Sequence, residues 1–136
     1  GFLKTKGIET IDFGTNTDER KDYPDYAFKV GEAVAAREAE FGILICYTGI
    51  GMSIAANKVK CIRAALCLNE TMAELARKHN DANVLCLSGG FTKENDAMKI
   101  IEMFLKTEFD GYKKGEERHK IRVDKITEYE TKKEEG

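Results

Sequence analysis

Several classes of function are excluded by what this 136-residue sequence does not contain. It has no charge excess worth the name: 22 basic and 24 acidic residues leave a formal net charge of −2. No global field therefore draws it to nucleic acid or to an anionic lipid surface. No apolar run approaches the roughly 20 residues a membrane helix needs, and no signal-peptide pattern is present. The four cysteines (46, 61, 67 and 86) show no C-x-x-C spacing and lie in or beside apolar segments. That argues against a zinc site and against a secreted disulfide framework, and favours a reducing, cytoplasmic setting. Internal repeats, low-complexity stretches and interdomain linkers are absent as well. What remains, at 42% hydrophobic and 34% charged residues, is the make-up of a single globular domain with one core.

The most informative stretch is Gly42 to Lys58, GILICYTGIGMSIAANK. Ile43, Leu44, Ile45 and Cys46 form an unbroken apolar run, the pattern of a strand covered on both faces. Thr48, Gly49 and Gly51 follow, and then Met52, Ile54, Ala55 and Ala56 at helical spacing. A strand, a glycine-rich turn and a helix in this order bring backbone N–H groups together around an anion. Cys46 closes the strand, and a thiol beside a helix N-terminus is favoured as thiolate. Plainer readings exist: a strand cysteine also serves as a small core hydrophobe, and any tight turn wants glycine. Two familiar loops do not fit. A G-x-G-x-x-G nucleotide turn needs glycine at Ile54, and the C-x5-R loop of cysteine phosphatases needs arginine at Met52.

Along the chain, Ile8–Phe13 reads as a strand, closed by Gly14 and a polar loop. Pro24 suits the start of a helix with an apolar stripe at Tyr26, Val30, Ala33 and Val34. Residues 63–67 form a further strand. Asn69 caps a helix that packs through Met72, Leu75 and Ala76. Asn83–Leu87 is another buried strand, followed by a turn at Gly89-Gly90. A long amphipathic helix comes next, capped by Thr92, with Ile100, Ile101, Phe104 and Leu105 on its apolar side. From Lys113 the chain turns mostly charged and forms a last helix. Strands alternating with helices predict a doubly wound, mostly parallel α/β sheet with helices on both faces. The opening residues are too short for a helix and lead straight into a strand. The expectation is therefore five strands, the first of them preceding Gly1.

Ligands of such sheets bind beyond the carboxyl ends of the strands, where Cys46 sits. Three further groups carry potential chemistry. His79-Asn80-Asp81 closes a helix, and read alone it is a C-terminal cap. Arg118 and Arg122 lie four residues apart, so on a helix both guanidinium groups share one face and suit a phosphate, or simply form a solvated surface. Asp22-Tyr23-Pro24 is mainly a helix start, although a tyrosine hydroxyl there is within reach of a neighbouring site.

Together the runs ICYTGIGMSIAANK, IRAALC, RKHNDANVL and RHKIRV, in this order, resemble type B ribose-5-phosphate isomerase, of the sugar-phosphate isomerase family that includes galactose-6-phosphate isomerase. The resemblance covers nearly all of residues 7–127. It implies a single isomerase domain over 1–127 with a charged tail over 128–136. It implies interconversion of ribose 5-phosphate and ribulose 5-phosphate in the pentose phosphate pathway, through a cis-enediolate. Such chemistry needs a base at carbon, donors for the oxyanion, an acid/base for ring opening and a phosphate anchor. The resemblance assigns the base to Cys46, the oxyanion donors to the loop Tyr47, Thr48, Gly49, Ile50 and Gly51, and ring opening to His79. Asn80 becomes a substrate ligand, and Arg118 and Arg122 the phosphate anchor, contributed across the interface of a homodimer or of a tetramer. No metal or organic cofactor is implied, and the expected partner is a phosphorylated sugar rather than a nucleic acid or a membrane.

The sequence departs from the family pattern in three places. The Asp-His pair expected after the first strand is absent, and the opening Gly-Phe resembles the tail of that motif, which places the pair before Gly1. Tyr47 stands where glycine is usual, and a positive φ there would be strained. The segment GYKKGEE before Arg118 is longer than the usual Gly-Gly linker. Two alternatives follow: an isomerase of a hexose 6-phosphate, allose or galactose, or a catalytically silent sugar-phosphate binder.

Overall fold

The computed structural model describes residues 22–135. Its elements are α1 (Tyr23–Ala35), β1 (Gly42–Cys46), α2 (Ile50–Ala56), β2 (Ala64–Leu66), α3 (Glu70–Asn80), β3 (Val84–Ser88), α4 (Glu94–Lys106), a 3-10 turn (Asp110–Tyr112) and α5 (Glu117–Glu135). The strand expected over Ile8–Phe13 lies outside the described residues. Among those described, three strands form one parallel sheet in the order β1-β3-β2. No described helix is long and apolar enough to cross a membrane.

Of these three, β3 lies between the other two, and every one of its residues is buried. Successive side chains on a strand point to opposite faces, so β3 feeds two cores. Val84 and Cys86 join Leu44 of β1, Ala27 and Val34 of α1, and Met52, Ala55 and Ala56 of α2. Leu85 and Leu87 join Ala73 and Ala76 of α3 and Ile100 and Phe104 of α4 on the other face. Each of these large side chains contributes on the order of 1.5–3 kcal/mol by leaving water. The sheet is thus wound on both sides, as the alternation of strands and helices predicts.

Local chemistry sets the helix ends. Pro24 lies in the first turn of α1. The side chain of Asn69 accepts from the Met72 N–H at 2.8 Å, which makes it the expected cap of α3. α3 does not pack through Met72 and Leu75, which are both 40% exposed. It packs through Ala73, Ala76 and Arg77, because small residues let its axis approach the sheet. The cap of α4 is Lys93 rather than Thr92, and it makes no side-chain cap hydrogen bond. Asp81, not Asn80, takes the left-handed turn that ends α3, with φ 47° and ψ 42°.

Arg77 is buried and hydrogen-bonded to three residues. Its Nε donates to the Thr107 carbonyl at 3.0 Å, and its Nη1 to Asp81 and to the Ala82 carbonyl. Its guanidinium lies over the rings of Phe41 and Phe104. This arginine ties α3 to the end of α4.

Candidate active site

Register places Cys46 beside Ser88 at the carboxyl edge of the sheet. The turn after Cys46 is tied to the turn after β3. The Gly89 N–H donates to the Cys46 carbonyl and the Gly90 N–H to the Tyr47 carbonyl, each at 2.8 Å. Ser88 Oγ donates to the same Tyr47 carbonyl at 2.8 Å and accepts from the Phe91 N–H. Two loops so stitched present the sulfur from a rigid frame.

Gly49 makes the turn possible. Its φ is 81°, and a Cβ there would lie 2.4 Å from Leu66 Cδ1, so both backbone and space demand glycine. This geometry aims the Gly49 N–H at Cys46 Sγ, 3.1 Å away. The Ile50 N–H donates to Thr48 Oγ1 at 3.2 Å, which leaves the threonine's own hydrogen free to point outward. The Gly51 N–H, one of the donors at the start of α2, finds no acceptor among the described residues. The ring of Tyr23 lies against Gly51, where an added Cβ would stand 2.7 Å from the tyrosine hydroxyl. The hydroxyl that the helix start offers does therefore reach this turn.

Tyr47 carries no positive φ; among the described non-glycine residues only Arg37, Cys61 and Asp81 do. The expected strain is absent because the turn's left-handed residue is Gly49. The Tyr47 ring instead packs over Gly90 and edge-on against Phe91, with centroids 5.5 Å apart.

The cysteines divide by position. Cys46 is half-buried, whereas Cys67 and Cys86 are buried in the two cores. Burial pushes the Cys67 thiol up to about 11. Burial, helped by the neighbouring Cys46 and Cys67, pushes Cys86 up to about 12. Those two are core hydrophobes, and only the sulfur at the strand's end faces the amide-lined turn.

His79 and Asn80 stand elsewhere. α3 starts at the carboxyl edge and returns along its 11 residues, about 16 Å, to the amino edge. There Asn83 accepts from Arg63 ahead of β2 and donates through its side chain to the Cys61 carbonyl. The His79 ring stacks parallel on that of His119 in α5, with centroids 4.1 Å and planes 5° apart. His119 is buried, and its Nε2 lies 3.0 Å from Glu116 Oε2. The same carboxylate oxygen pairs with Arg118 Nη2 at 3.2 Å, and Arg118 Nη1 donates to the Gly115 carbonyl. Arg122, one turn further on, is exposed. Nearby, the hydrogen bond from Lys113 holds the Asp110 carboxyl below its ordinary range, with Lys78 and His79 adding to the effect.

The residues singled out from sequence thus form two clusters at opposite edges: Cys46 with Tyr47–Gly51, and His79 and Asn80 with Arg118 and Arg122. His119, Glu116 and Ser88 were not singled out. The Glu116–His119 spacing of three on a helix was the one signal for that pair. Ser88 had none, being one residue past the apolar run.

Residues 1–126 match the family described as Ribose/Galactose Isomerase. Ribose-5-phosphate isomerase B of Escherichia coli (strain K12) is 44% identical over 128 residues, covering 94% of this chain and 83% of the relative. Ribose-5-phosphate isomerase B of Clostridium thermocellum superposes with a TM-score of 0.90 at 51% identity, over 96% of this chain and 85% of that one. The Mycoplasma genitalium ribose-5-phosphate isomerase B structure with bound ribulose-5-phosphate gives 0.87 at 47%, over 95% and 83%. With a half-buried thiol over a glycine turn at one end of its sheet, and relatives that align over nearly its whole length, this chain belongs to the ribose/galactose isomerase family.

Proposed function

We propose that this protein interconverts ribose 5-phosphate and ribulose 5-phosphate, with Cys46 as the base at carbon. The reading is carried by the Cys46 sulfur at the mouth of the glycine turn, held by the Gly49 N–H at 3.1 Å. A base on one side of the substrate takes the hydrogen from C2 of the open aldose and returns it to C1 of the cis-enediolate. The negative charge that develops on oxygen needs fixed donors, and the Gly51 N–H and the Thr48 hydroxyl are available for this in the loop. The Gly49 and Ile50 amides act indirectly, by fixing the sulfur and the Thr48 side chain. His79 opens the sugar ring, Asn80 holds the substrate beside it, and Arg118 and Arg122 anchor the phosphate.

The two clusters lie at opposite ends of one chain, so one substrate meets both only where two copies face each other, carboxyl edge to amino edge. This supports a two-fold homodimer with shared sites. Exposed Tyr47, Phe91, Ile50 and Ile54 around the carboxyl edge suit such a contact. Residues 1–127 are read as the isomerase domain and 128–136 as a charged tail. The free thiols at all four cysteines support a cytoplasmic setting.

Replacing Cys46 with alanine tests the assignment: isomerisation of ribose 5-phosphate is expected to fall by about 10²–10⁴-fold. Turnover at the parental rate would remove Cys46 from the role. Running allose 6-phosphate and galactose 6-phosphate beside it identifies the preferred sugar.

A further inference from the structure

We propose that His119 is a positioning residue that sets the plane of the His79 imidazole from behind. This rests on the reading of His79 as the ring-opening group. His119 does not itself meet substrate: it is 4% exposed, and its Nε2 is engaged by Glu116. What it offers is a flat, immobile face. A half-buried histidine on the last turn of a helix can swing about its side-chain torsions, and ring opening requires a nitrogen aimed at a sugar oxygen. Parallel stacking at 4.1 Å restricts that freedom, and it covers a face of the His79 ring rather than the rim that carries the nitrogens. An error of about 1 Å in such placement can cost on the order of 100-fold in rate.

Glu116 extends the effect. Its Oε2 accepts from His119 Nε2 and pairs with Arg118 Nη2, so one carboxylate orders both the stacked rings and a guanidinium of the phosphate anchor. The distance between the group that opens the ring and the group that holds the phosphate is thereby set within one chain, before any partner arrives.

The test separates ring chemistry from proton transfer. Ribulose 5-phosphate carries its phosphate on the oxygen that would close a ring, so it stays open. Wash-in of solvent deuterium at its C1 reads enolisation alone, while net conversion to ribose 5-phosphate also reads the ring step. His119→Ala is expected to lower conversion by about 10–100-fold while wash-in stays within about threefold of the parent. His119→Phe keeps an aromatic face, and Glu116 retains Arg118, so both rates are expected to stay within about threefold. Equal losses of both rates in His119→Ala, no loss of either, or a His119→Phe enzyme as impaired as His119→Ala would each overturn the proposal. His79→Asn, measured alongside, distinguishes the two levels. If it leaves the ratio of wash-in to conversion unchanged, the ring-opening reading has failed; if it shifts the ratio and His119→Ala does not, only the positioning role has failed.

Discussion

The two edges of the sheet are built on different principles. At the carboxyl edge the candidate groups are a sulfur, backbone amides and a hydroxyl, placed by a glycine turn stitched to its neighbour. At the amino edge they are imidazole and guanidinium groups, placed by stacking and by one shared carboxylate. Enolisation suits the first, because charge that appears only in the transition state is best met by dipoles already oriented. Phosphate suits the second, because full charges on long side chains bind a permanent dianion. One chain carries both halves and brings neither to the other.

The sharpest way to break this comparison is complementation. Cys46→Ala and His79→Asn chains, each expected to be at least about 100-fold impaired alone, are co-expressed so that mixed dimers form. A site that draws its thiol from one copy and its imidazole from the other is intact once in each mixed dimer. Activity should therefore return to about a quarter of the parent in a statistical mixture. No recovery would mean that both groups serve within one chain, or that no such dimer exists.

Alkaline unfolding sharpens the contrast between the edge sulfur and the two in the cores. Cys67 and Cys86 titrate in the folded state at about 11 and about 12, against an ordinary 9.0. Above pH 9 the unfolded chain has lost protons that the folded chain keeps, so stability falls as pH rises from about 9 toward those values, by the order of a few kcal/mol. Below pH 9 this contribution is fully present and flat. Urea midpoints measured from pH 8 to 11 check the decline, and Cys86→Ala should make it shallower.

The smallest effect expected is at Asn69, which stands at the carboxyl edge yet serves only to cap α3. Asn69→Ala should cost about 1 kcal/mol in denaturant melts. KM and kcat should stay at parental values, which separates a residue that holds the edge from one that uses it.

Much of this architecture was legible because its signals are local. The apolar run Ile43–Cys46 followed by glycines announces strand, turn and helix, and Asn69 announces a cap. Where the reading missed, a non-local term decided. Met72 and Leu75 rank above Ala73 and Ala76 in hydrophobicity, but close approach of α3 to the sheet selects the small residues. Arg77 looks like a surface residue until two aromatic faces, two carbonyls and a carboxylate converge on it, several of them from distant stretches of the chain. The stack of His79 on His119 joins residues 40 apart, and no spacing rule reaches that far.

From sequence alone came the alternation of strands and helices, the chemistry available at each motif and the family to which the motifs belong, since each depends on neighbours within a few residues. Only tertiary structure decided that β3 lies between β1 and β2, that Gly49 rather than Tyr47 carries the left-handed turn, and that thiol and imidazole end up at opposite edges. Those outcomes depend on which segments pair and on how closely helices approach, and packing energies between distant residues set both.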